Sequence, residues 1–291
     1  MQVKGIDISE WQGLLTLEDF IKIKNDGINF IMLRCGYTSY GVNKNKRIDR
    51  YFENNYRLAK EAGIPVGAYY YSCATTMEES IEEANFTLEI IKDKVFEYPI
   101  AVDTEDAHDI SNPSNSNISQ ASIGRIALTP IIKNFCDILE QNNKYASIYA
   151  STYWFRNNLI LNDLVEYDKW IAQWSNTVNF EEEYGMWQYS STGTINGILG
   201  NVDLNYSYKD YPTIMKDSGL NGYVKIIETS DEDNPDDDRD DDIPIDDGNQ
   251  NEVPDSGEII DKPIIEEINF LKKIFSAIGN FFRRIIDWFT K

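Results

Sequence analysis

The sequence predicts an α/β fold: an irregular TIM-like barrel, followed by a disordered acidic linker and a C-terminal amphipathic helix. Three observations carry this. Eight short apolar runs are interleaved with longer amphipathic runs, the signature of βα units around a parallel sheet. The helical patterns are concentrated in the first half, so the barrel is irregular in its last third. Residues 228–262 hold 16 acids and 2 bases, which leaves residues 1–227 close to the roughly 250 residues of an eight-stranded barrel.

The expected strands are Val3–Ser9, Phe30–Gly36, Pro65–Ser72, Pro99–Glu105, Ala146–Ser151, Lys169–Trp174, Gly185–Ser190 and Asn201–Ser207. Helical patterns fall at 16–26, 48–62, 77–94 and 119–142. The second helix is stopped by Gly63, and Pro65 opens the next strand two residues on. The linker 228–262 carries the run DDDRDDD and little apolar surface, so burial there cannot offset chain entropy.

In residues 263–291, Ile264, Ile268, Leu271, Phe275, Ile278, Phe282, Ile285 and Phe289 alternate spacings of four and three. That is an unbroken apolar stripe on one helix face. Lys272, Lys273, Arg283, Arg284 and Lys291 fall on or near the polar side. An anionic membrane surface is the favoured partner, with Phe275, Ile278, Phe282, Ile285 and Phe289 as the contact face. Self-association and docking on the chain's own globular part are the alternatives.

Composition excludes several classes. The net charge is −22, and nucleic-acid binding needs clustered Lys and Arg, so no nucleic-acid partner is expected. The single histidine, His108, leaves no His-rich metal site and little room for a His-activated nucleophile. Cys35, Cys73 and Cys136 form an odd set without C-x-x-C spacing, expected as buried free thiols. Neither a secretory signal nor a membrane span is expected, since residues 1–7 run straight into a strand pattern.

Catalysis on barrels sits at the C-terminal ends of strands. Gly5-Ile6-Asp7, Ala101-Val102-Asp103-Thr104-Glu105 and Asn201-Val202-Asp203 bring carboxylates to strands one, four and eight. Residues i and i+2 of a strand share a face, so Asp103 and Glu105 point the same way. Asp7 and Asp203 lie on the first and last strands, which become neighbours on closure. Four carboxylates in one cup would raise at least one pKa, as glycoside hydrolysis requires of its acid. Turn or cap roles for single aspartates compete with this, as does a Ca²⁺ or Mg²⁺ site. Aromatic residues keep the acids company. Tyr69, Tyr71, Trp174 and Tyr189 are the expected sugar contacts, and Tyr70 and Trp170 are expected in the core. His108 is read as a surface residue, and Arg34 and Arg125 as ion-pair or capping residues.

The segments GIDISEWQG at 5–13, IPVGAYYYS at 64–72, IAVDTED at 100–106, WIAQW at 170–174 and WQYSSTGTINGILGNVDLN at 187–205 resemble the family 25 glycoside hydrolases, the Chalaropsis-type lysozymes. The resemblance runs over about 1–210. It implies a barrel of five βα units followed by three β strands. It also implies an N-acetylmuramidase cleaving the β-1,4 bond between N-acetylmuramic acid and N-acetylglucosamine, with peptidoglycan glycan strands as partner. On the matching positions it implies Glu105 as proton donor, Asp103 as assisting carboxylate, and Asp7 and Asp203 as further acids of the cup. Many members have His where this chain has Tyr70, and many carry wall-binding repeats that are not recognisable here. No cofactor or metal is expected. The expected role is a phage endolysin or tail-associated lysin, located in the host cytoplasm until release or on the virion, and acting on the bacterial wall. A bacterial autolysin, a catalytically weak wall-binding module and a membrane-active lysis protein are the alternatives.

Overall fold

A computed structural model of the protein describes residues 2–39, 44–105 and 119–225. The expected linker 228–262, the expected helix 263–291 and His108 lie outside the described residues.

The elements run β1 (Val3–Ile8), α1 (Leu17–Asn25), β2 (Phe30–Thr38), β3 (Lys46–Ile48), α2 (Phe52–Glu61), β4 (Val66–Tyr71), α3 (Met77–Ile91), β5 (Ile100–Asp103), α4 (Gly124–Gln141), β6 (Ala146–Ser151), α5 (Thr152–Asn158), β7 (Asp168–Ala172), β8 (Met186–Gly193), β9 (Val202–Ser207) and α6 (Tyr211–Ser218). Eight strands close a barrel in the order β1-β9-β8-β7-β6-β5-β4-β2, with β2 returning to β1. All neighbours from β1 through β2 and β4 to β8 are parallel; β9 is antiparallel to both β8 and β1. The first five strand–helix units are followed by three strands without intervening α-helices, as the resemblance implies.

Local signals explain the boundaries. Thr16 and Thr76 cap α1 and α3 by accepting the Asp19 and Glu79 amides. Asp19 returns a bond to the Thr16 amide, completing a capping box. Gly63 turns the chain out of α2 at φ +66, as expected from the sequence. The small strand β3, hydrogen-bonded antiparallel to the end of β2, was not expected. It takes up the start of the 48–62 helical pattern, so α2 begins only at Phe52. Helices α5 and α6 are also additions.

Alternation sorts side chains into two cores. Ile6, Ile31, Val66, Ile100, Ile148 and Ile171 face outward to the helices. Phe30, Met32, Ala101, Tyr149, Trp170 and Met186 fill the barrel interior. Gly5 shares the inward face of β1 with Asp7, and glycine is required there because a Cβ would meet the Phe30 ring at 2.3 Å. Tyr211 and Met215 of α6 join this inner core with Tyr98. The Tyr211 hydroxyl donates to Asp168 Oδ2 at 2.6 Å, at the start of β7. So α6 plugs the N-terminal end of the barrel, and the opposite end stays open. Cys35 and Cys136 are buried free thiols, and Cys73 is a half-buried one. No described helix is long and apolar enough to cross a membrane.

Candidate active site

The open end of the barrel holds a cavity of about 940 Å³. Asp7, Asp103, Glu105 and Asp203 all line it, with Tyr69, Tyr71, Tyr149, Trp170 and Trp174. Asp7 and Asp103 are inward-facing residues of β1 and β5, both nearly fully buried. Strand β5 stops at Asp103, so Glu105 stands just beyond the sheet rather than ending it. Asp203 lies near the start of β9, not at its end. It reaches the same mouth because β9 runs antiparallel, and it stands opposite Asp7 in the β1–β9 register.

A hydrogen-bonded floor fixes Asp7. Its Oδ2 accepts Gln188 Nε2 at 3.0 Å and Asn205 Nδ2 at 2.8 Å. Asn205 Oδ1 accepts the Trp170 indole at 2.8 Å. Gln188 Oε1 accepts the Tyr149 hydroxyl and the Trp174 indole, each at 3.0 Å. Each amide therefore has its oxygen committed to an aromatic donor and its nitrogen aimed at Asp7. Asp103 differs: its buried Oδ1 has no hydrogen-bond partner among the described residues. At the cavity wall, Arg34 donates to Asp49 Oδ2 at 2.8 Å and to Glu10 Oε1 at 3.0 Å. It is the ion-pair residue expected from the sequence, and it also faces the cavity.

Burial raises all four acids, and repulsion from neighbouring carboxylates adds to it at Asp7, Asp103 and Glu105. Burial, then the charge of Asp203, pushes the Asp7 carboxyl up to about 8, against the pull of Asn205 and Gln188. Burial, then Glu105 and Asp7, holds Asp103 well above the usual carboxylate range. Glu105 is raised to about 6 by burial and then by Asp203. Asp203 is raised to about 6 by burial. A protonated carboxyl near neutrality beside ionisable partners is the equipment of general acid catalysis. Among the described residues, no group of His, Cys, Asp and Glu is arranged to hold a metal ion.

The aromatic residues divide. Tyr69 and Tyr71 face the cavity, while Tyr70 is buried on the outer face, edge-on to Phe86 and tilted against Phe135. Trp174 stands at the rim, 64% exposed, and Trp11 stands there at 81%. Trp170, expected as core, is both core and cavity lining. Tyr189, expected at the sugar face, is not there: it stacks on Tyr206 at 4.4 Å and packs with the outer core. The reason is alternation, since Gln188 of β8 points inward and its neighbours Trp187 and Tyr189 point outward. That parity was legible in the sequence and would have selected Gln188. Asn205 was legible in the same way, sharing a strand face with Asp203 two residues before it, whereas Tyr149 carried no such signal, because its role rests on a contact with another strand.

Residues 6–198 match the sequence profile of Glycosyl hydrolases family 25. The chain is 24% identical over 208 residues to Uncharacterized protein YegX of Escherichia coli K12, covering 70% of this chain and 68% of that one. It is 27% identical over 205 residues to the Autolytic lysozyme of Clostridium acetobutylicum, covering 70% of this chain and 55% of that protein. The fold is shared with the modular autolysin LytC of Streptococcus pneumoniae, solved with a synthetic peptidoglycan ligand. There the TM-score is 0.62 and the identity 24%, over 71% of this chain and 47% of that one. This chain thus spans about half the length of LytC. A match over most of the barrel, on a fold whose acids gather at one mouth, places the protein: it belongs to the family 25 glycosyl hydrolases.

Proposed function

We propose that the protein is a peptidoglycan N-acetylmuramidase, cleaving the β-1,4 bond between N-acetylmuramic acid and N-acetylglucosamine. The observation that carries this is the pairing of Glu105, raised to about 6, with the unpartnered Asp103 Oδ1 in one cavity. Glu105 gives its proton to the glycosidic oxygen as the C1–O bond breaks. Asp103 Oδ1 takes the N–H of the substrate's 2-acetamido group, turning its carbonyl oxygen toward C1. That oxygen closes on C1, water then displaces it, and Glu105 takes back a proton from the water. Asp203 supplies negative charge to the oxocarbenium-like centre, beside a protonated Asp7 held on the floor of the site. The exposed rings of Trp11 and Trp174, with Tyr69 and Tyr71 inside, suit the apolar faces of successive sugars.

The test is clearing of purified Gram-positive walls, with mass spectrometry of the released fragments. Reducing-end muramic acid is expected. Reducing-end N-acetylglucosamine, or cleavage of peptide bonds alone, refutes the reading. The two-step route retains configuration at C1, so NMR of the first product should show the β anomer; the α anomer refutes the assistance step.

The setting we propose is phage-driven host lysis, as an endolysin or tail-associated lysin. Bacterial autolysis is the second reading, favoured by the likeness to Autolytic lysozyme and LytC. Appearance of the protein only on prophage induction supports the first, and appearance during uninfected growth supports the second.

A further inference from the structure

Behind the ends of β2, β4 and β5 lies a buried chain of polar side chains that the acid chemistry does not use. The Trp154 indole on α5 donates to Thr104 Oγ1 at 3.2 Å. Thr104 Oγ1 donates to Gln120 Oε1 at 2.9 Å. Gln120 Nε2 donates to Ser72 Oγ at 3.3 Å and to the Ala74 carbonyl at 3.1 Å. Ser72 Oγ also accepts the Ala74 amide at 3.2 Å. With both lone pairs taken, its proton goes to Glu83 Oε2 at 2.5 Å. Glu83 Oε1 accepts Thr38 Oγ1 at 2.6 Å and the Cys73 amide at 3.1 Å.

Every donor in this chain points the same way, toward Glu83 on α3. Glu83 is 3% exposed, Ser72 1%, Gln120 3% and Thr104 0%. Burying a carboxylate is costly, and a neutral side chain would fill the space more cheaply. What a carboxylate adds is acceptor capacity on both oxygens, which forces one orientation on each group upstream. The upstream end is Thr104, the single residue between Asp103 and Glu105. Strand pairing stops at Asp103, and the Thr104 amide makes one further bond, to the Tyr149 carbonyl at 3.0 Å. The Tyr71 hydroxyl donates to the Glu105 carbonyl at 3.4 Å, and the hydroxyl bonds of Thr104 fix the residue from which Glu105 leaves the sheet.

We propose that Glu83 is a positioning residue for hydrolysis: through Ser72, Gln120 and Thr104 it sets the placement of Glu105 relative to Asp103. The inference rests on the roles given above to Asp103 and Glu105. Misplacing a reacting group by about 1 Å costs on the order of 100-fold in rate.

The test compares Thr104→Val, Thr104→Ser and Glu83→Gln with Glu105→Gln in the full chain, on soluble glycan strands. Thr104→Val keeps the shape without the hydroxyl and should lower kcat about 10- to 100-fold, with KM nearly unchanged. Thr104→Ser should restore kcat. Glu83→Gln replaces one acceptor by a donor; it should lower kcat in the same way and displace the basic limb of the pH profile. Wild-type kcat and pH profile in Thr104→Val overturn the proposal, as does an equal loss in Thr104→Val and Thr104→Ser. Should Thr104→Val not fold, Gln120→Glu takes its place, since it keeps the oxygen Thr104 bonds but loses the donor to Ser72. An active Glu105→Gln refutes the site itself. An inactive Glu105→Gln beside an active Thr104→Val refutes only the positioning role.

Discussion

Asp7 and Asp203 stand directly opposite each other across the antiparallel pair of β1 and β9. Two carboxylates held in register at a cavity mouth cannot both ionise cheaply, and the charge of Asp203 also reaches Glu105. The pair thus links barrel closure to the proton affinity of the proposed acid.

Asp203→Asn should shift the basic limb of the pH–rate profile to lower pH. Asp203 raises Glu105, so removing its charge lets Glu105 lose its proton earlier. A limb that stays in place would show that the two residues do not communicate. Activity itself should also fall.

Asp7→Asn should stabilise the protein near neutral pH while impairing hydrolysis. The folded Asp7 is raised from 3.8 to about 8. Below pH about 4 both folded and unfolded forms are protonated, and stability is full. Stability is lost as pH rises from there through about 8, because only the unfolded form ionises freely. Asparagine removes that loss, and its one carbonyl oxygen can accept both amides that now meet on Oδ2. Thermal unfolding should show a higher Tm than wild type at pH 7 and a shrinking gap toward pH 4. A lower Tm at pH 7 would contradict the raised proton affinity.

Glu105→Gln should cost about 10²–10⁴-fold in kcat, the usual worth of a general acid, with circular dichroism and Tm close to wild type. Asp103→Asn should be strongly impaired as well. Wall clearing at the wild-type rate by either folded variant would remove that residue from the chemistry.

Gly185→Ala should unfold the plugged end of the barrel first. A Cβ at 185 would sit 1.8 Å from the Tyr211 hydroxyl and 2.7 Å from the Asp168 carboxylate. Both are buried and bonded to each other, so neither can give way. Overpacking of this kind costs at least about 2 kcal/mol, or a Tm loss of roughly 4–8 °C. An unchanged Tm would mean that α6 does not close the barrel.

A chain ending at Thr229 should hydrolyse soluble peptidoglycan fragments like the full chain but fail to co-sediment with phosphatidylglycerol vesicles. The basis is the amphipathic sequence 263–291 with its five basic residues. Full-length protein that ignores the vesicles but forms an assembly lost on truncation would favour self-association.

The inward Asp103, the inward Tyr69 and Tyr71, the outward Tyr70, and the lack of α-helices between β7 and β9 could all be read from the chain. Each is a local property, set by a period of two residues or by the spacing of apolar runs. The same parity placed Gln188 opposite Trp187 and Tyr189, yet aromatic identity drew attention to Tyr189 and away from the residue that faces the acids. Other features needed the closed barrel. The Asp7–Asp203 register depends on the hydrogen bonding of chain segments some 200 residues apart. Asp203 reaches the mouth from the start of its strand only because β9 is antiparallel. The floor of Gln188, Asn205, Tyr149 and Trp170 joins four strands, and the Glu83 chain joins α3 and α5 to the residue between the two acids. Local sequence sets which way a side chain points; which partner it meets is decided when distant strands come into register.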